Sequence, residues 1–237
     1  MNFAIIAAGE GSRLAAEGIE SPKPLVKLGG RTLLERLLDI FESVGAESVG
    51  IIVNARTTQL EEYASELAAQ SKMPVKVIVR NTPDSMHSFA EVTAGIEGRF
   101  CVTTVDTVFS PEEFKRYIDA FENDGDADGY MAVTDYVDDE KPLYVVTDAD
   151  MRITAFEDNM SPGAKFVSGG IYALGPKALE VLDRCLANGT SRMRNYQRAL
   201  VEAGLKLKAW PMGKIIDIDH AADITTAESM LAKNNQS

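Results

Sequence analysis

Short, unbroken apolar runs alternate with amphipathic stretches through the first half of the chain. Residues 3–8 form one such run, the pattern of a strand covered on both faces. Leu33, Leu34, Leu37, Leu38 and Phe41 recur at helical spacing, and Gly45 follows as a stop. Residues 49–53 and 75–79 predict two more strands, with a helix over 57–70 between them. A helix is expected over 89–96 and a strand over 100–105, ending at Asp106. Ser110, Pro111 and Glu113 make a helix start, with Ser110 as cap and Glu113 as its reciprocal partner, and this helix runs to about Phe121. Strands alternating with helices in this way predict a largely parallel sheet with helices on both faces, an α/β three-layer sandwich.

The pattern changes after residue 128. Residues 130–135, 144–147, 153–156 and 167–174 predict strands joined by short turns, which suggests a mixed sheet and an inserted or flanking β region. Helices return over 178–186 and 193–203, late strands over 205–210 and 215–218, and a final helix over 221–232. There is no internal repeat and no long linker, so residues 1–237 are expected to form a single domain. Residues 9–30, rich in glycine and proline, predict a long loop after the first strand. Open α/β sheets bind ligands beyond the carboxyl ends of their strands. Gly9, Asp106 and Asp217 all fall at or near such ends.

Composition narrows the classes. The chain has 237 residues, 45% of them hydrophobic, enough for one sizeable core. Its formal net charge is -12, which repels a polyphosphate backbone and argues against nucleic acid as a main partner. A small phosphorylated ligand needs only a local positive pocket and remains compatible. Cys101 and Cys185 lie far apart and fit two buried, reduced thiols; no metal-type cysteine spacing exists. The first residues lack Lys and Arg, and their apolar run is too short for a signal peptide or a membrane span. These features lead us to expect a cytoplasmic protein with no membrane partner. They leave its oligomeric state, including a homo-oligomer, open.

The chemistry concentrates near the start. Ala7, Ala8, Gly9, Glu10, Gly11, Ser12 and Arg13 follow the first strand, and Pro22, Lys23 and Pro24 come shortly after. Glycines at such a turn let backbone N–H groups approach a phosphate, and Arg13 and Lys23 add the positive charge that triphosphate oxygens need. A bulky Arg13 near the third glycine position argues against a dinucleotide fingerprint, and the absence of a Gly-Lys-Ser/Thr sequence argues against a Walker A loop.

The segments AAGEGSRL and SPKPL resemble the signature of the sugar-1-phosphate nucleotidyltransferases and their phosphocholine cytidylyltransferase relatives. Three further stretches resemble that family in its own order: VTTVDTVF with Asp106, FVSGGIYAL with Gly169, Gly170 and Tyr172, and KIIDIDHAADITTAE with Asp217 and Asp219. The resemblance implies a nucleotide-diphospho-sugar transferase fold of the GT-A-like type. It implies a nucleotide-binding half over 1–125 and an acceptor-side elaboration over 126–237. The implied nucleotide-binding residues are Ala7, Ala8, Gly9, Glu10, Gly11 and Ser12; Arg13 would stabilise leaving pyrophosphate, and Lys23 would bridge the α-phosphate and the acceptor phosphate. Asp106, Asp217 and Asp219 are the implied metal carboxylates, with Mg²⁺ as cofactor; alternation places Asp217 and Asp219 on one side of an extended chain.

The chain departs from the pattern twice. The Gly-Thr-Ala-like turn of the sugar enzymes is absent, and Asn81, His87 and Ser88 stand in a segment closer to the choline-phosphate branch, which assigns them to the base; a polar loop with Ser88 as helix cap is the plainer alternative. The Glu-Lys-Pro lysine is also missing at 156–159; Lys165, Arg192 or Arg194 could replace it, beside Gly170 and Tyr172, as acceptor contacts. The expected reaction joins a nucleoside triphosphate to a small phosphorylated acceptor, foremost a sugar-1-phosphate giving an NDP-sugar. The alternatives are a CTP-dependent enzyme for phosphocholine or another phospho-alcohol, a DxD glycosyltransferase and a non-catalytic nucleotide sensor.

Overall fold

The computed structural model describes residues 1–9, 11–137 and 140–234. The first half consists of β1 (Asn2–Ala7), α1 (Ser12–Ala16), a 3₁₀ turn (Lys23–Leu25), β2 (Lys27–Leu28), β3 (Arg31–Thr32), α2 (Leu33–Ser43), β4 (Ser48–Val53), α3 (Thr58–Gln70), β5 (Val75–Val79), α4 (Ser85–Thr93), β6 (Phe100–Thr104), β7 (Thr107–Val108) and α5 (Pro111–Asn123). The second half adds β8 (Gly129–Thr134), β9 (Tyr144–Thr147), β10 (Ile153–Glu157), β11 (Ala164–Leu174), α6 (Lys177–Ala187), α7 (Met193–Glu202), β12 (Leu207–Pro211), β13 (Ile216–Asp217) and α8 (Ala221–Asn234). Among the described residues no helix is long and apolar enough to cross a membrane.

One mixed sheet organises the α/β fold. β1 lies between β4 and β6, β5 extends β4, and all of these pairings are parallel. β11 then pairs antiparallel with β6, β8 and β9, β10 follows β9, and β12 runs parallel to β8. The β region of the second half is therefore a continuation of the same sheet rather than a separate insertion. Alternation along β1 feeds two cores. Phe3 and Ile5 join α2, α3, α5 and α8 on one face, while Ala4 and Ile6 join α4, α6 and α7 on the other. Phe3, Phe41 and Phe114 meet at centroid distances of 4.6 to 6.2 Å and anchor the first core.

Local signals explain the element ends. Thr32 and Glu35 form a reciprocal capping box at α2: the Glu35 amide donates to Thr32 Oγ1 at 3.1 Å, and the Thr32 amide donates to Glu35 Oε2 at 2.7 Å. At α5 only half of the expected box forms. Ser110 Oγ accepts from the Glu113 amide, but the Glu113 carboxylate turns to Arg116, three residues along the same helix. The helix expected over 89–96 begins four residues earlier. Asp84, not Ser88, caps it, accepting from the Met86 and His87 amides. The long loop expected over 9–30 contains α1, the 3₁₀ turn and β2, because Leu14, Leu25 and Leu28 bury themselves against the first core.

β11 carries the one sharp irregularity that matters for the site. Its register against β8 shifts between Ser168 and Tyr172, across Gly169 and Gly170. The buried Tyr117 hydroxyl satisfies the backbone there, accepting from the Ala173 amide at 2.8 Å and donating to the Tyr130 carbonyl at 2.7 Å.

Candidate active site

The carboxyl ends of β1 and β6 open into a cleft of about 540 Å³. Ala8, Gly9, Gly11, Ser12 and Arg13 line one wall, Thr82 to Ser85 with Ser88 the opposite one, and Lys23, Thr104, Asp106 and Asp219 the floor. Gly11 has φ +63°, and a Cβ there would meet Lys23 Cβ at 3.2 Å. Only glycine lets the loop after β1 take this conformation while lying against Lys23.

Lys23 is the electrostatic centre. Its Nζ donates to Asp106 Oδ2 at 2.7 Å and to Asp219 Oδ1 at 2.6 Å. Arg13 donates to the other oxygen of Asp219 at 2.6 Å and faces Glu140 at 3.8 Å. The Lys23 side chain is 10% exposed, so its charge must be matched. Burial alone would push its ammonium down, but the Asp106 and Asp219 carboxylates outweigh it and hold it above the usual lysine range. Burial likewise pushes Asp219 up, and Lys23 and Arg13 override it, keeping that carboxyl below its usual value.

Asp217 sits in a different environment. β13 pairs with β7, placing Asp217 beside Thr107, and the Thr107 hydroxyl donates to Asp217 Oδ1 at 3.0 Å. Burial and the Asp106 charge push the Asp217 carboxyl up to about 8. The chain is not extended through this segment, since the Asp219 amide donates to the Asp217 carbonyl at 3.0 Å. Asp217 and Asp219 therefore take different partners instead of sharing one face. Among the described residues no three or more His, Cys, Asp or Glu side chains gather around a single point.

The remaining predicted residues divide. Ala7 is wholly buried in the first core, and Glu10 lies outside the described residues. Ser88 lines the cleft and shares a 2.6 Å hydrogen bond with Thr82. Asn81 accepts from the Ala55 amide, and His87 pairs with Asp84 at 3.1 Å; neither lines the cleft. Gly170 faces the Thr104 and Thr107 hydroxyls. Tyr172 is buried, its hydroxyl pushed up by that burial and by the Asp217 charge. Lys165 is exposed on β11, and Arg194 pairs with Asp158 at 2.6 Å while donating to the Lys141 carbonyl.

Sequence reasoning missed several groups. Thr82, Asp84 and Ser85 face the cleft because the cap of α4 falls there. Asp84 just after Pro83, a cap signal, would have revealed it. Glu17 was also missed. It reaches across the chain to accept from His220 Nδ1 at 2.6 Å and from the Ala221 amide at 2.7 Å, clamping the segment after β1 to the start of α8.

Comparisons with known proteins agree with this architecture. Residues 3–200 match the MobA-like NTP transferase domain, and the chain belongs to that family. Asp217 and Asp219 lie beyond the matched span. Among its relatives is the bifunctional IPC transferase and DIPP synthase of Rubrobacter xylanophilus, 27% identical over 96% of this chain and 51% of that protein. Another is the CMP-5'-(3-aminopropyl)phosphonate synthase of Streptomyces rubellomurinus, 28% identical over 90% of this chain and 35% of that one. The chain thus spans about half the length, or less, of these curated relatives. The solved inositol-1-phosphate CTP transferase from T. maritima superimposes with a TM-score of 0.82, at 18% identity, over 100% of this chain and 96% of that one. A putative glucose-1-phosphate thymidylyltransferase from Bacillus anthracis gives 0.81 at 19% identity, over 97% and 94%.

Proposed function

We propose that this protein is a nucleotidyltransferase that moves CMP from CTP onto the phosphate of a small phospho-alcohol or onto a small alkylphosphonate. An acceptor oxygen attacks the α-phosphorus, the bond to the β-phosphate oxygen breaks, and pyrophosphate leaves. The observation that carries the reaction class is the convergence of Arg13, Lys23, Asp106 and Asp219 on one cleft at the strand ends. Transfer between two anions asks little covalent work of the protein; it asks for alignment and fixed positive charge. Lys23 aligns the α-phosphate and the acceptor oxygen, and Arg13 steadies the leaving pyrophosphate. Asp219, tied to both cations, sets their positions. The attacking oxygen is already ionised and needs no base.

Asp106 and Asp217 would hold Mg²⁺. Two hard oxygen donors suit an ion that takes one or two carboxylates and completes its shell with phosphate and water. Their mutual repulsion, with a single side-chain hydroxyl donating to Asp217, is what a divalent cation would relieve. When bound, the ion supplies charge neutralisation at the phosphates.

The choice of CTP rests on relatives. The CMP-5'-(3-aminopropyl)phosphonate synthase covers 90% of this chain, and a 2-aminoethylphosphonate cytidylyltransferase from Lancefieldella rimae is 28% identical over 47% of it. Sugar-1-phosphates are the second reading, favoured by the AAGEGSRL and SPKPL segments that resemble the sugar-1-phosphate nucleotidyltransferase signature. Buried, unpaired Cys101 and Cys185 and a nucleoside triphosphate donor support a cytoplasmic setting. A pyrophosphate-release screen with Mg²⁺ tests the proposal, using each common nucleoside triphosphate against sugar-1-phosphates, polyol phosphates, phosphocholine and aminoalkylphosphonates. We expect release with CTP and a non-sugar acceptor. Release with UTP or dTTP and a sugar-1-phosphate would move the assignment to the sugar branch, and nucleotide binding without release on any acceptor would overturn it.

A further inference from the structure

We propose that Thr107, braced by Thr104, is a positioning residue that aims the Asp217 carboxylate into the metal site, and that Gly170 is a glycine to leave room for this hydroxyl relay. The inference rests on the assignment of Asp106 and Asp217 to a divalent cation. Thr107 is 2% exposed, and its hydroxyl lies 2.6 Å from Thr104 Oγ1 and 3.0 Å from Asp217 Oδ1. A hydroxyl has one hydrogen to give. As a cation ligand Asp217 is ionised and can only accept, so Thr107 donates to it and accepts from Thr104. The relay therefore has one direction, from Thr104 through Thr107 to Asp217.

Gly170 faces this relay from β11. Its φ is +72°, and a Cβ built there would stand 2.9 Å from Thr107 Oγ1 and 3.4 Å from Thr104 Oγ1. The first distance is below ordinary van der Waals contact, and a buried β-branched side chain has little freedom to retreat. The irregular register of β11 across Gly169 and Gly170 falls at the same place. Thr104 at the end of β6, Thr107 on β7, Asp217 on β13 and Gly170 on β11 thus form a partly buried unit drawn from four strands, with Thr107 at its buried centre. Nothing in this unit contacts Arg13 or Lys23 through a hydrogen bond, so it serves Asp217 rather than the phosphate cations. Groups that orient a metal ligand from behind set metal affinity more than nucleotide affinity.

The test measures Mn²⁺ affinity of the full chain by electron paramagnetic resonance, with Mn²⁺ alone and with Mn²⁺ plus CTP, alongside thermal melting. Thr107→Val keeps the shape and removes the donor; it should weaken Mn²⁺ binding by about 10- to 100-fold, the usual cost of losing a group behind a metal ligand. Thr107→Ser should restore most of it, and CTP binding without metal should stay at the wild-type level in both. Thr104→Val, which leaves the Asp217 contact in place, should give a smaller loss in the same direction. Wild-type Mn²⁺ affinity in Thr107→Val and Thr104→Val, with Asp217→Asn losing it, would overturn the positioning role while leaving the metal assignment standing. Wild-type affinity in Asp217→Asn, or no Mn²⁺ binding by the unaltered protein, would overturn both. Should Thr107→Val melt below room temperature, the serine and Thr104 variants decide the question by the same readout.

Discussion

The two halves of the sheet place chemistry differently. In the first, β1, β4, β5 and β6 run parallel, so every strand delivers its following loop to the same edge. Gly9, Thr82 and Asp106 reach the cleft for that reason alone. In the second half β8, β9, β10 and β11 alternate in direction, and their loops divide between opposite edges. Lys165 on β11 and Arg194 on α7 fall outside the cleft lining, and this half enters it at Asp219, two residues beyond β13, a two-residue strand paired with β7. Parallel order fixes where a site must be; antiparallel order leaves each contribution to be built individually.

The comparison would break most visibly at Lys23. Lys23→Ala should lower turnover by about 100- to 1,000-fold, the cost of removing a preorganised charge from the reacting groups. Melting should show an intact fold, and near-normal turnover in a steady-state assay would place the chemistry elsewhere. Glu17→Ala tests the strap between the halves. It frees His220 and the first turn of α8, and the nucleotide KM should rise on the order of tenfold with kcat changed less. An unchanged KM would show that the first half holds its loop unaided.

The seam at residues 124–128 offers a pH test. Hydrogen bonds from Lys208, from the Asp126 and Ala127 amides and from the Tyr130 hydroxyl hold the Asp124 carboxyl well below its usual range. A depressed carboxyl stabilises the fold above the unfolded value and loses that stabilisation as pH falls through the folded one. Asp124→Asn should therefore cost about 1 kcal/mol at neutral pH in urea melts, and the gap should narrow once pH drops below about 4. A gap of the same size at pH 3 would contradict this origin. The smallest effects belong to Asn81→Ala and His87→Ala. Their partners are the Ala55 amide and Asp84, so nucleotide KM should move less than about threefold, as expected for surface pairs.

The sequence disclosed the buried strands and the segment that lines the cleft well, because continuous apolar runs and a glycine loop with Arg13 and Lys23 are local signals. Nonlocal effects hid the rest. Asp84 marks the start of α4 locally as its cap, whereas apolar periodicity alone begins the helix at Phe89; that the cap falls at the cleft depends on where β5 ends. Alternation placed Asp217 and Asp219 together, yet a turn between them and partners more than a hundred residues away separate their roles. Thr107 lies inside VTTVDTVF, but only the pairing of β7 with β13 gives its hydroxyl a carboxylate to serve.

The clamp between Glu17 and the start of α8 also bears on how the molecule is made. Its two sides are separated by 203 residues at His220 and 204 at Ala221. A ribosome releases Arg13 and Lys23 long before it releases the aspartate that pairs with them. Until residues 219–221 emerge, Lys23 has only Asp106 to face it, and Arg13 and the loop after β1 lack both Asp219 and their anchor. The site closes only as α8 docks, so its assembly reports that both halves of the sheet have formed.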